Sequence, residues 1–122
     1  LAQEGAKYNI KSNVIAPIAF TRMTESLLGA AAGALGPECV TPLTVFLASE
    51  ACDITHEIYS VGGGRFARIF IGLCPGWTKG PAAVASAEEV RDQMDQIRNP
   101  EGYIIPGGIA DEMAVIMEAL KG

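Results

Sequence analysis

Proline has no N–H to give a β-ladder and holds its own φ fixed, so Pro17, directly behind the apolar run Val14-Ile15-Ala16, constrains this chain more than any other residue. It predicts a short strand over residues 10–16 that stops at Pro17. Just past that end come the Thr21 hydroxyl, the Arg22 cation and the Met23 thioether. If the strand lies in a parallel sheet, residues 17–24 occupy the crevice outside the carboxyl ends of the strands, where open α/β sheets bind ligands.

The flanking sequence supports such a unit. Leu-Ala-Gln-Glu-Gly-Ala-Lys at residues 1–7 reads as the last turns of a helix, released at the turn-prone pair Tyr8-Asn9. No Ser, Thr or Asp cap precedes it, so the expectation is a fragment. Asn13 is either a ligand group or an amide that ties down neighbouring backbone. Residues 24–28 start a short helix that runs into the weakly determined Gly29-Ala30-Ala31-Ala32-Gly33-Ala34, a flap over the crevice or a loosely packed connection. Residues 37–51 read as a longer helical stretch, with residues 37–40 a preceding turn, Thr41 the cap and Pro42 in the first turn. Its broad face of Val40, Leu43, Val45, Phe46, Leu47 and Ala48 suits burial on two sides, as between subunits.

A second buried strand is expected over residues 54–61, ended by Gly62-Gly63-Gly64, with another extended segment over residues 65–71. A loop surrounds Trp77. The last third reads as helical. Ser86 and Glu89 form a capping box, followed by Val90, Met94 and Ile97 on one face and a break at Asn99-Pro100. After Tyr103-Ile104-Ile105, a final helix from about Ile109 carries a stripe of Met113, Ile116, Met117 and Leu120, closed by Lys121-Gly122.

With 122 residues, 49% hydrophobic and 19% charged, the chain suits one globular domain or part of a larger one. A net charge of -5 with scattered Lys7, Lys11 and Arg22 argues against nucleic-acid binding. No apolar run is long enough to span a bilayer, so no membrane partner is expected and a cytoplasmic location is the plain reading. Cys39, Cys52 and Cys74 read as reduced thiols, and no spacing suits a metal.

Few residues offer chemistry. Gly62-Gly63-Gly64-Arg65-Phe66-Ala67 fits G-x-G-x-x-A after a strand, but the following segment is β-like, and alanines at 82, 83 and 85 stand where the acidic partner of a dinucleotide fingerprint is needed. His56, the only histidine, falls at the start of its strand, a strand length from the crevice, and reads as a turn residue. Glu88 and Glu89 belong to a helix start. No nucleophile, base and orienting group converge, so no catalytic residue is assigned.

Asn13-Val14-Ile15-Ala16-Pro17, Thr21-Arg22-Met23-Thr24, Pro37-Glu38-Cys39-Val40 before an apolar helix, and Glu57-Ile58-Tyr59-Ser60-Val61-Gly62-Gly63-Gly64 follow in an ordered succession. That succession resembles the C-terminal part of short-chain dehydrogenases/reductases. The resemblance is strongest to the branch related to the (R)-3-hydroxyacyl-coenzyme A dehydrogenase unit of peroxisomal multifunctional enzyme type 2. It covers residues 1–65, with a weaker echo afterwards. Three positions depart from the family pattern: Ile18 and His56 replace usual glycines, and Thr21 comes one position early.

The resemblance implies an α/β fold, the C-terminal part of a Rossmann-type doubly wound parallel sheet over residues 1–65, plus a mainly helical extension over residues 66–122. It implies an NAD- or NADP-dependent oxidoreductase that interconverts a hydroxyl and a ketone, with a 3-hydroxyacyl-CoA as the substrate expected. Pro17 and Ile18 would wall the nicotinamide, and backbone of Ile18, Ala19 and Phe20 would meet its carboxamide. Thr21 would offer a hydroxyl to the carboxamide or pyrophosphate, and Arg22, Met23 and Thr24 would begin a substrate lid. The family's phosphate loop and its serine, tyrosine and lysine are not among these residues. The chain alone is therefore expected to be inactive and to need the N-terminal half of the domain as its partner, alongside a small-molecule or acyl-CoA substrate and a homo-oligomeric state. Two rival readings are a non-catalytic dimerisation module derived from that fold and an acyl-binding domain built on the final helices.

Overall fold

The structure is a computed structural model that describes residues 1–81 and 83–121. Ala82, read above against a fingerprint acid, and Gly122, expected to close the last helix, lie outside the described residues. The chain forms two compact units, Leu1–Phe70 and Ile71–Gly122.

The first unit is mixed α/β. A helical turn, α1 (Ala2–Gly5), passes through a 3-10 turn, Ala6–Tyr8, and is released where Asn9 takes a left-handed φ of 57°. Three strands follow: β1 (Val14–Pro17), β2 (Ile58–Gly62) and β3 (Arg65–Ile69), in the order β1-β2-β3. β1 and β2 are parallel with Val14 opposite Ile58 and Pro17 opposite Val61, while β2 and β3 are antiparallel. Of the parallel sheet that the resemblance implies, one parallel pair is present, and the antiparallel β3 makes the three-stranded sheet mixed.

Two strand boundaries differ from expectation. β1 begins at Val14 because Ser12 turns to irregular partners, its N–H bonding Thr55 Oγ1 at 3.0 Å and its carbonyl accepting from His56 N at 2.8 Å. It also includes Pro17 instead of stopping before it. Val14 N donates to Glu57 O at 2.9 Å and Ile18 N to Val61 O at 2.8 Å. By the alternation of a parallel ladder, the proline nitrogen therefore faces the open edge, where no N–H is required. β2 begins at Ile58, not Ile54. Asn13 clamps the preceding turn, with Nδ2 donating to Ile54 O at 2.9 Å and Oδ1 accepting from Glu57 N at 3.1 Å. The Asn13 amide thus ties backbone, but backbone more than forty residues away.

The triple glycine closes a tight hairpin. Gly62 pairs with Arg65, and Gly63 and Gly64 take φ of 57° and 78°, the two left-handed residues a type I′ turn demands. The G-x-G-x-x-A pattern is therefore hairpin chemistry.

Helix α2 (Glu25–Leu28) continues as a 3-10 stretch, Gly29–Ala34. The turn expected over residues 37–40 is a 3-10 turn, Pro37–Cys39, and the helix that follows it, α3 (Thr41–Leu47), ends short of residue 51. Val40, not Thr41, is the N-cap, and no side chain caps it; Pro42 does fall in the first turn. The helix ends early because Ser49 bonds the Phe46 carbonyl twice, through N at 3.0 Å and Oγ at 2.7 Å, the local competition by which serine disfavours helix interiors.

In the second unit, Leu73 and Ile104 form an isolated antiparallel bridge. Ser86 caps α4 (Ala87–Asp92) with the full capping box expected. The hydrogen bond from Lys79, reinforced by the Ser86 N–H, holds the Glu89 carboxyl below the usual carboxylate range. The expected single helix is interrupted at Gln93, leaving α5 (Met94–Ile97) separate, and α6 (Ile109–Ala119) starts where predicted.

Burial is scant. Among the described residues the buried hydrophobic side chains are Ala2, Cys52 and Val61, and all lie in the first unit. The chain exposes 9148 Å², whereas two separately compact units of these lengths would expose about 7,500 Å² together. Among the described residues no helix is long and apolar enough to cross a membrane.

Candidate functional site

The chain leaving β1 is pinned to the sheet and then folds back on itself. Ile18 N is held by Val61 O, and Phe20 N donates to Leu35 O at 2.7 Å, which draws the loop toward the 3-10 stretch Gly29–Ala34. Gly62 lies directly beneath: a Cβ there would stand 2.6 Å from the Ile18 carbonyl oxygen. The end of β2 must therefore carry no side chain for the Ile18 backbone to pass.

Beyond Phe20 the path is set by Thr24. Its N–H closes a turn onto Thr21 O at 3.0 Å. Its hydroxyl donates to Ala19 O at 2.8 Å, accepts from Thr21 N at 2.9 Å, and lies 3.4 Å from the Thr21 hydroxyl. Thr24 is also the N-cap of α2, yet its side chain makes no capping bond there.

These residues enclose an apolar cavity of about 410 Å³ at the carboxyl end of β1, between the wall Pro17, Ile18 and Ala19 and the side chains of Met23, Leu27 and Leu28, with Thr21 and Thr24 as its hydroxyls. A second cavity of about 360 Å³ shares Pro17 and Ala19 and lies against Val40, Thr44 and Val45 of the α3 region. Sequence reasoning had named the wall but missed Leu27, Leu28 and the second cavity. The first two were findable, since Met23 to Leu27 and Thr24 to Leu28 are four-residue helical steps that share a face. The second cavity depends on where α3 docks, which no local pattern encodes.

The structure brings Pro17, Ile18, Ala19, Thr21, Met23 and Thr24 together on one cavity. Phe20 and Arg22 do not line it, and Arg22 is exposed with no ion pair among the described residues. Among the described residues the Ala19 N–H makes no hydrogen bond, while the other backbone donors of residues 18–21 are taken. His56 lies just before β2, at the amino end of the strand, in a left-handed φ of 66°. It is a turn residue apart from the cavity. That conformation favours glycine, the residue that the dehydrogenase pattern puts there.

A polar cluster lies along β2 and β3 instead. Tyr59 donates its O–H to the Glu57 carboxylate, which also pairs with Arg68 at 3.3 Å. The hydrogen bond to Glu57, then desolvation, pushes the Tyr59 phenol up to about 12.

No protein-family model matches the chain. It is 37% identical over 132 aligned residues to the peroxisomal hydratase-dehydrogenase-epimerase of Neurospora crassa, covering 99% of this chain and 14% of that protein. It is 47% identical over 70 residues to a short-chain type dehydrogenase/reductase of Mycobacterium tuberculosis, covering 57% of this chain and 24% of that one. The chain is a homologue of the short-chain dehydrogenases/reductases. Full-length peroxisomal multifunctional enzyme type 2 from Drosophila melanogaster matches the fold with a TM-score of 0.80 at 21% identity, over 98% of this chain and 22% of that chain. The fold of this short-chain dehydrogenase/reductase homologue is accordingly the Rossmann-like kind. It spans about a quarter or less of the length of these relatives.

Proposed function

We propose that residues 17–28 form the nicotinamide-facing wall and the substrate lid of an NAD(P)-dependent short-chain oxidoreductase that interconverts a hydroxyl and a ketone, with a 3-hydroxyacyl-CoA as substrate. The observation that carries this reading is the Pro17–Thr24 loop: a flat apolar wall beside an unpartnered amide donor and a hydroxyl, at the carboxyl end of a parallel pair.

The residues present fit one end of such a cofactor. Pro17 and Ile18 offer a face for a planar ring, and the Ala19 N–H and Thr21 hydroxyl offer polar partners for a carboxamide. They do not fit its phosphates, because the triple glycine is spent on the β2–β3 hairpin. Bound here, the nicotinamide group supplies the hydride acceptor or donor. The chain's own part is to orient that ring, exclude water through Leu27 and Leu28, and cover the substrate with Arg22, Met23 and α2. Met23 is 91% and Leu27 82% exposed, apolar side chains available to cover a substrate. The proton donor, the phosphate loop and the strand that covers the open edge of β1 are assigned to the partnering remainder of the domain. The cytoplasm is the compartment this reading assigns, although the fungal relative is named peroxisomal.

The test is cofactor reduction by the full reading frame that carries these 122 residues, with an (R)-3-hydroxyacyl-CoA and NAD or NADP. Hydroxyacyl-dependent formation of reduced cofactor supports the reading, and its absence with both cofactors overturns it. A second reading, a dimerisation module, is favoured by α3, where Val45 is 62% exposed beside a half-exposed Phe46. It is compatible with the first if the oligomer is the active form.

A further inference from the structure

Thr24 stands where a threonine ordinarily caps a helix by accepting a bond from the second or third helical N–H. In this chain the N-cap role is left to its carbonyl, which accepts from Leu27 N and Leu28 N, both at 3.0 Å. The hydroxyl points backwards instead. It donates to Ala19 O at 2.8 Å and accepts from Thr21 N at 2.9 Å. A helix without a side-chain cap gives up stability, so the backward bonds are where this residue's hydrogen-bonding capacity goes.

Two consequences follow for the cavity wall. The Ala19 carbonyl is turned toward Thr24, which leaves the Ala19 N–H as the free backbone group of that peptide pair. The Thr24 hydroxyl has two carbonyl acceptors in reach, Ala19 O at 2.8 Å and Thr21 O at 3.3 Å, and its single proton goes to the shorter bond, so in the 3.4 Å contact between the two hydroxyls Thr21 is the one able to donate. Thr21 then presents lone pairs to the cavity. It can accept from the amino group of a carboxamide.

We propose that Thr24 is a positioning residue: by bridging Ala19 and Thr21 it holds the wall rigid at the root of α2 and makes Thr21 an acceptor for an amide-bearing ligand. This rests on the dehydrogenase reading above. It also moves Thr24 out of the moving part of the lid and makes it the anchor from which Met23 and α2 extend.

The experiment compares wild type, Thr24→Val and Thr24→Ser in the full reading frame. One readout is amide hydrogen exchange at Thr21. The other is steady-state kinetics with the nicotinamide cofactor and with its analogue carrying a methyl ketone in place of the carboxamide. Thr24→Val is expected to lower Thr21 amide protection about tenfold and to raise KM for the natural cofactor about tenfold, with kcat within about twofold. It should also lose the preference for carboxamide over methyl ketone. Thr24→Ser, which keeps the hydroxyl, restores all three. An active wild type whose KM and amide preference are unchanged in Thr24→Val overturns the positioning role. Absence of Thr21 protection in the wild type overturns the loop geometry. A wild type with protected Thr21 but no cofactor-dependent activity overturns the dehydrogenase reading and, with it, the assigned ligand.

Discussion

His56 holds a left-handed backbone with φ of 66° because the chain must reverse between the Asn13 clamp and the first residue of β2. A Cβ in that region costs about 1 kcal/mol, which glycine avoids. His56→Gly is therefore expected to stabilise the chain by about 0.5–1 kcal/mol, read as a higher urea midpoint at unchanged slope; an unchanged or lower midpoint contradicts it. Tyr59 supplies a pH signature. Its phenol, bound to Glu57, is pushed from 10.0 to about 12, so the neutral form is favoured in the fold. The stability it contributes is full below pH 10 and is lost as pH rises toward about 12. Phenolate absorbance of the folded chain should show a late step near pH 12, and Tyr59→Phe should remove both that step and the alkaline loss of stability. Thr24 belongs at this scale too, since one hydroxyl decides the direction of two backbone groups. A threonine was legible there; its partners were not, because a hydroxyl before a helix points forward as a cap as readily as backward.

At the scale of elements, the turns and caps were the most legible. Asn9, the triple glycine and the Ser86–Glu89 box act through partners within a few residues, so the sequence contains both sides of the interaction. Strand and helix ends were less so. β2 lost residues 54–57 to Asn13, and β1 gained Pro17 because its nitrogen faces the open edge, circumstances set across a gap of more than forty residues. The junction of β2 with the wall yields a prediction. Gly62→Ala places a Cβ 2.6 Å from the Ile18 carbonyl oxygen, and backbone cannot yield as a flexible side chain would. The substitution should destabilise the first unit by about 1–3 kcal/mol and displace the wall, visible as shifted amide resonances at Ile18 and Ala19. A neutral substitution without those shifts would show that the close approach is not maintained in solution.

For the whole molecule, surface is the decisive quantity. Three buried hydrophobic side chains among the described residues and 9148 Å² of exposed area leave too little burial to offset chain entropy. Val14, Ile18, Val45, Met117 and Leu120 all stand substantially open. Purified alone, the 122-residue chain is expected to elute from size exclusion larger than a monomer; a sharp monomer peak with cooperative unfolding would show that it is self-sufficient. Sequence by itself determined much of the alternation of helix and strand, the turns that punctuate it, and residues 17–24 as the loop that leaves the first strand. These are periodic or nearest-neighbour properties, written locally. Only the tertiary structure decided which hydroxyl points where, which residues of α2 and α3 complete the cavities, and that Gly62 must be bare beneath Ile18. The last depends on segments forty or so residues apart arriving side by side, and the hydroxyl directions on how a loop closes over three to five residues; both are properties of the packed chain.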